Sequence, residues 1–127
     1  MKYLYVTWDS PQVTYLESLF LPIFDGLRDF GFGFDVLQFT WGDRDRIQAI
    51  AGACAAAGIG YRPVAVRPGW GGVRPLLTAW RGARHILAQV RFGGADAILA
   101  RSTMPALSTL RAVGETGLPF VFDADGL

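Results

Sequence analysis

Short apolar runs alternate with longer segments of helical period along the chain. Five of these runs are typical of strands, each ending at polar or glycine-rich sequence, and they cover residues 2–8, 34–41, 61–67, 97–101 and 119–123. Between the runs, apolar residues recur every three or four positions, which is the spacing of one helical face. The pattern therefore predicts that strands and helices alternate along the whole chain.

Four apolar stripes indicate the predicted helices and the side of each helix that faces the core. In chain order they are Val13, Leu16, Phe20, Phe24, Leu27 and Phe30; Ile47, Ile50, Ala51 and Cys54; Leu76, Trp80, Ala83, Leu87 and Val90; and Leu107, Leu110 and Val113. Pro22 lies inside the first stripe and is expected to kink that helix. The helices are expected to end at left-handed glycines, namely Gly31, Gly58, Gly93 and Gly117.

This alternation is typical of a parallel sheet with helices on both faces. Right-handed crossovers between parallel strands favour the strand order 3-2-1-4-5. Proline cannot donate to a sheet ladder, and Pro63 and Pro119 fall in the third and fifth strands, which this order places at the edges. The sequence therefore predicts a Rossmann-like, three-layer αβα fold with a five-stranded parallel sheet, as a single domain over residues 1–127.

Composition excludes several classes of function. The 127 residues are 51% hydrophobic, enough for the core of one domain, and the net charge of +1 favours no nucleic-acid partner. One cysteine, Cys54, rules out a disulfide framework, and together with one histidine, His85, it provides too few ligands for a structural zinc site. No apolar run is long enough for a signal peptide or a membrane span, so a cytoplasmic protein without a bound metal is predicted.

Positive charge is concentrated in the middle third of the chain, where no Asp or Glu occurs between Arg46 and Asp96. Four arginines of the third predicted helix fall within about 100° of one another at 3.6 residues per turn, and they are Arg74, Arg81, Arg84 and Arg91. This stripe is either a solvated basic face or a contact with an anionic membrane surface or lipid phosphate, which would place the protein at the inner face of the membrane. Leu76 and Trp80 are expected to lie on the core-facing side of the same helix.

Polar residues follow the first and fourth predicted strands, where the order of the sheet reverses. Ligands of open α/β sheets bind at this point, beyond the carboxyl ends of the strands. The candidate residues that would line such a cleft are Asp9, Ser10, Gln12, Arg101, Ser102 and Thr103. Helix N-termini in this position favour anions or sugar hydroxyls, although turns select Asp and Ser regardless of function. The dinucleotide fingerprint G-x-G-x-x-G is absent from the first turn, so no cofactor is predicted.

Three segments together resemble a known family. They are YLESLFLPIFDGL (residues 15–27), DAILARSTMPAL (96–107) and TGLPFVFDADGL (116–127). In this order they are similar to the N-terminal domain of GT-B glycosyltransferases, specifically the family 4-like group. The last two segments are the most specific to this family. The segment 96–107 has a strand followed by Arg-Ser and a helix, and the segment 116–127 has Thr-Gly-x-Pro-Phe-x-Phe-Asp leading to glycine.

The resemblance implies a retaining transferase that moves a sugar from a nucleotide donor to an acceptor. The chain would be the acceptor-binding half, an incomplete N-terminal domain that has no catalytic residue of its own and is inactive alone. Its partners would be the sugar acceptor and, through a C-terminal domain, a nucleotide sugar. Asp123, at the end of the fifth strand, would line the cleft between the two domains.

Asp123 and Asp125 leave further interpretations open. The sequence Asp-x-Asp-Gly matches the start of a phosphatase motif with Asp123 as nucleophile, but that motif needs a downstream lysine and the only lysine is Lys2. A non-catalytic Rossmann-like module that binds a protein or a small anion is the other alternative.

The apolar residues 120–122 form an edge strand that is expected to pair with a second copy of the chain as a homodimer.

Overall fold

The computed structural model describes residues 1–9, 16–41, 43–66 and 74–124. The strands are β1 (Lys2–Asp9), β2 (Gly33–Thr40), β3 (Gly60–Ala65), β4 (Ala97–Arg101) and β5 (Phe120–Asp123). The helices are a π-helical turn (Leu16–Phe20), α1 (Leu21–Arg28), α2 (Arg44–Ala56), α3 (Arg74–Gly93) and α4 (Thr103–Thr116). The predicted alternation of strands and helices is confirmed.

The five strands form one parallel sheet in the order β3-β2-β1-β4-β5, as predicted. The central strand β1 pairs with β2 along its whole length and with β4 through residues Tyr3–Val6. Pro63 lies in the edge strand β3, and Pro119 directly precedes the other edge strand, β5. The two prolines therefore lie at the edges, where a missing N–H costs the sheet least.

Alternate residues of β1 point into two separate cores, one on each face of the sheet. Tyr5 packs against Phe20 and Phe24 from the π-helical turn and α1, and α2 covers the same side with Ile50 and Cys54. Leu4 and Val6 pack into the second core, with residues of α3 and α4 that include Ala83, Ile86 and Ala112. Because both faces of β1 are covered, its sequence is a nearly continuous apolar run.

Pro22 lies at the second position of α1, directly after the π-helical turn, where one continuous helical segment changes from π-helical to α-helical. The kink that the sequence leads us to expect at Pro22 stays a prediction. The expectation that Phe30 faces the core is wrong, since its side chain is 78% exposed. α1 ends at Arg28, and the helical period therefore no longer applies to Phe30.

The core-facing side of α3 also differs from the prediction. Leu76 and Trp80 are 53% and 48% exposed, whereas Ala83 is buried as predicted, together with Ala79 and Ile86. The predicted residues Leu87 and Val90 pack against the core and are partly buried. Small side chains face the core because α3 packs closely against α4, where Ser108 Oγ donates a hydrogen bond to the carbonyl oxygen of Ala79. On α4, Leu110 is likewise exposed rather than buried.

Three of the four predicted left-handed glycines are confirmed, at Gly31, Gly58 and Gly117. The fourth helix end differs by one residue, because Gly94 rather than Gly93 has the positive φ, at 68°. α3 includes Gly93 as its last residue, and the left-handed position follows it.

The edge strand β5 leaves apolar side chains in contact with solvent. Val121 is 53% exposed and Phe122 is 47% exposed. Phe120 and Phe122 also line an apolar groove of about 390 Å³ against α4. An apolar edge of this kind favours association with another chain, and the pairing of two copies along β5 stays a prediction.

We expect Gly82→Ala to destabilise the protein. A Cβ atom at Gly82 would lie 2.9 Å from Ser108 Oγ and 3.1 Å from Phe39 Cζ, so α3 would have to move away from α4 and the sheet. Such overpacking costs about 1–3 kcal/mol, which exceeds the gain of about 1 kcal/mol from replacing glycine by alanine in a helix. Urea denaturation measures the change in the free energy of unfolding.

Gly52→Ala is the matched control, because Gly52 is exposed on α2 and a Cβ atom there would meet no atom within 4 Å. This variant should be more stable than the parent by about 0.5–1 kcal/mol. A Gly82→Ala protein as stable as Gly52→Ala would contradict the close approach of α3 and α4.

Candidate functional site

Three of the predicted cleft residues meet where β4 and β5 end, beside the central strand. Arg101 is the last residue of β4 and pairs in register with Asp123, the last residue of β5. The backbone N–H of Ser102 donates to the carbonyl oxygen of Asp123 at 2.9 Å. We call Phe20, Arg101, Ser102 and Asp123 the carboxyl-edge cluster.

Arg101 is the centre of this cluster and is only 9% exposed. Its Nη1 atom lies 3.3 Å from Asp123 Oδ2, and its guanidinium carbon lies 4.7 Å from the centroid of the Phe20 ring. A buried cation is costly unless it is paired, and a carboxylate together with an aromatic face provides such pairing. The side chain of Arg101 is therefore held in place by two elements other than its own strand.

Ser102 has a backbone conformation that non-glycine residues seldom adopt, with φ of 74° and ψ of 170°. Backbone strain of this kind costs about 1–3 kcal/mol, and it persists only where surrounding contacts fix the conformation. Here the N–H of Ser102 is bonded to Asp123 and its carbonyl oxygen accepts from Ala106 N at 3.2 Å. The Ser102 side chain makes no capping hydrogen bond to α4, which is unlike an ordinary helix N-cap.

Phe20 was not among the sequence candidates, because its spacing indicates only a core residue. It closes the π-helical turn, a structure that interrupts α-helices and is frequent at functional sites. Its ring packs against Tyr5, with centroids 4.9 Å apart, and is thereby positioned beneath Arg101. No local pattern distinguishes this turn from ordinary helix, so only the folded structure reveals its role.

An ion pair that the sequence did not indicate joins the π-helical turn to α2. Arg46 Nη2 lies 2.5 Å from Glu17 Oε2, and both side chains are largely buried. Glu17 also lines a cleft of about 450 Å³ between α1 and α2, whose walls include Leu21 and Ala53. The pair holds the π-helical turn against α2.

Cys54 is fully buried on α2 and is close enough to Glu17 to be affected by its charge. Burial, and secondarily the negative charge of Glu17, raise the pKa of its thiol to about 11. Only the thiolate is nucleophilic, so Cys54 is an inert core residue at neutral pH.

The remaining candidates are placed as follows. The backbone of Asp9 ends β1 opposite Thr40, and Thr103 begins α4 with an exposed side chain. Ser10, Gln12 and Asp125 lie outside the described residues. Among the residues that the structure does describe, no group of three His, Cys, Asp or Glu side chains could hold a metal ion.

The arginine stripe lies on α3. Arg74 begins the helix, and Arg81, Arg84 and Arg91 have exposed side chains. His85 is half-buried on the same helix, with its ring edge-to-face against Phe39 at 6.1 Å. The stripe shares no residue with the carboxyl-edge cluster.

No protein-family model and no curated protein matches the sequence significantly. Solved structures do share the fold. A glycosyltransferase from Rickettsia africae ESF-5 matches with a TM-score of 0.64 at 15% identity, over 99% of this chain and 30% of that protein. A UDP-GlcNAc 2-epimerase from Neisseria meningitidis, bound to UDP-GlcNAc, matches with a TM-score of 0.64 at 13% identity, over 100% of this chain and 33% of that one.

A third match is a deacetylase from the biosynthesis pathway of teicoplanin, with a TM-score of 0.69 at 11% identity, over 98% of this chain and 68% of that protein. The chain spans about a third of the length of the first two proteins. Because the three activities differ and the identities are low, the likeness establishes the Rossmann-like fold and not a particular reaction.

We expect Asp123→Ala to lower the free energy of unfolding by about 1–2 kcal/mol, because it leaves the buried Arg101 guanidinium without its carboxylate. The matched control is Asp25→Ala, since Asp25 pairs with Arg28 at the same 3.3 Å but both side chains are more than half exposed. That exposed pair should contribute less than about 0.5 kcal/mol.

A double-mutant cycle that combines Asp123→Ala with Arg101→Met, measured by urea denaturation, gives the interaction energy of the pair. It separates this energy from the other effects of each substitution. An interaction energy near zero, or equal losses in Asp123→Ala and Asp25→Ala, would contradict a stabilising role for the pair.

Proposed function

We propose that this chain is the acceptor-binding, N-terminal unit of a two-domain GT-B glycosyltransferase of the family 4-like group. In that reaction a sugar moves, with retention of configuration, from a nucleotide donor to an acceptor in the cytoplasm. The acceptor lies against the carboxyl-edge cluster, and a second domain binds the nucleotide sugar. A transition state assembled between two domains does not form from one of them, so the chain alone is inactive.

The observation that carries this proposal is the buried Arg101, held between Asp123 and Phe20 at the carboxyl ends of the strands. This edge of an open α/β sheet, next to the strand-order reversal, is where such folds bind ligands. The hydroxyl groups of Ser102 and Thr103 follow Arg101 directly, and hydroxyls suit the hydrogen bonding of a sugar. The shared fold with a glycosyltransferase and a UDP-GlcNAc 2-epimerase is consistent with chemistry on sugars.

We expect the isolated chain to bind sugar acceptors weakly and to bind nucleotide sugars not at all. Titration with glycosides, glycolipid headgroups and UDP- or GDP-sugars, followed by backbone NMR, tests both parts. Acceptors should shift the resonances of Arg101, Ser102, Thr103 and Asp123, because these residues line the proposed cleft. Thr103→Val should weaken that response without loss of stability, since its side chain is exposed.

Thr116→Val is the control for the loss of a threonine hydroxyl, because Thr116 lies at the opposite end of α4. Micromolar binding of a nucleotide sugar to the chain alone would show that the acceptor assignment is wrong. A complete lack of response to acceptors would favour the non-catalytic binding module instead.

A specific observation also favours contact of this unit with an anionic membrane surface. The exposed side of α3 carries Leu76, Leu77 and Trp80, which are 53%, 49% and 48% exposed, alongside Arg81 and Arg84. Aromatic and aliphatic side chains interleaved with arginines are typical of surfaces that lie at a lipid interface. Within the described residues, no helix has both the length and the apolar character to cross a membrane.

We expect the protein to sediment with vesicles that contain phosphatidylglycerol and to lose this binding at high salt. Each basic residue near such a surface contributes about 1 kcal/mol, so the Arg84→Gln, Arg91→Gln double variant should bind about thirty-fold more weakly. Trp80→Ala should also weaken binding, because it removes an apolar contact with the lipid.

The matched controls lie on the other side of the sheet. They are Arg28→Gln with Arg44→Gln for the loss of charge, and Phe30→Ala for the loss of an exposed aromatic ring. Equal sedimentation of the test and control variants would contradict a membrane contact. The arginines of α3 would then be only a solvated basic face.

A further inference from the structure

A small cavity lies between the edge strand β3 and α3, apart from the carboxyl-edge cluster. Its volume is about 160 Å³, and its apolar floor includes Phe39, Val64 and Val66. Arg81, Arg84 and His85 also line it, all three from α3. Three basic side chains therefore meet at one cavity of limited size.

No carboxylate of the described residues lines this cavity, and neither β3 nor α3 contains an Asp or a Glu. Among the described residues, the arginines that pair with carboxylates are Arg28, Arg46 and Arg101, and none of them lines the cavity. Arg62 adds a further positive charge from β3, close enough to act on His85. The positive charge around the cavity thus has no anionic counterpart in the described part of the chain.

Burial and the nearby positive charges both affect the pKa of His85. Burial lowers its pKa below the ordinary value, and the positive charges of Arg84 and Arg62 lower it further. From β2, the neighbour that packs on the imidazole is the apolar ring of Phe39. A bound anion would offset the repulsion between these groups and restore the protonated form of His85.

We propose that this cavity binds a phosphate group, with the guanidinium groups of Arg81 and Arg84 as hydrogen-bond donors. Guanidinium groups match the oxygens of phosphate in geometry and charge, and the protonated imidazole of His85 is a further donor. A tetrahedral oxyanion fits a cavity of this size, and the apolar floor accepts the organic part of a phosphate ester. The proposal is independent of the proposed sugar transfer, because it uses none of the residues of that cleft.

Titration with inorganic phosphate at constant ionic strength tests the site, with chloride as the reference anion. His85 is the only histidine, so its imidazole resonances in NMR are assigned without ambiguity. They should shift to saturation with phosphate, and the Arg81→Gln, Arg84→Gln double variant should bind about ten-fold or more weakly. Arg91→Gln is the matched control, since Arg91 lies on the same helix but does not line the cavity.

Sulfate provides a separate test, because its charge is constant across the range in which histidine titrates. The pKa of His85 should be higher in the bound protein than in the free protein. Sulfate affinity should therefore rise as the pH falls through the titration of His85, and His85→Gln should remove that dependence.

A water-soluble phosphatidic acid with short acyl chains distinguishes the two sources of a phosphate group. Tighter binding than inorganic phosphate would support the site and identify a lipid headgroup as its ligand. Equal affinity would support the site as one for free phosphate or a soluble phosphate ester. A non-saturable shift of His85, or the same loss of affinity in Arg91→Gln as in the double variant, would overturn the proposal, since either result indicates general attraction of anions to α3.

Discussion

The parallel pairing of β1 with a strand on each side is the constraint on which the rest of the structure depends. β1 pairs with β2 from Lys2 to Asp9 and with β4 over Tyr3–Val6, so a strand lies on each side of it. Both of its faces must therefore be covered, and the crossover helices of a parallel sheet provide that cover. Parallel strands also end at one edge of the sheet, which brings together residues that are distant in the sequence.

The polar groups at that edge are stable because each is fixed by a neighbouring element. Arg101 keeps its charge in a nearly buried position through Asp123 on the next strand and Phe20 from the segment before α1. Ser102 keeps a strained backbone conformation because hydrogen bonds on both sides determine it. The proposed role in orienting a sugar acceptor requires side chains that neighbouring elements fix in this way.

Charge is distributed unequally between the two faces of the sheet. The face covered by α1 and α2 includes acidic residues such as Asp25 and Asp45, whereas α3 on the opposite face has arginines and no acidic residue. Exposed Leu77 and Trp80 lie among those arginines. The asymmetry gives the molecule a basic, partly apolar side, although its net charge is only +1.

The sequence by itself determined the strands, their order and the position of Arg101 at a strand end, because apolar runs, prolines and glycines act locally. Only the tertiary structure decided which side of α3 is buried, since the close approach of α4 at Gly82 selects small residues over Leu76 and Trp80. The partner of Arg101 was likewise decided by the register of β4 and β5, which joins residues 22 positions apart. Local patterns do not encode such contacts, because they depend on how distant segments pack.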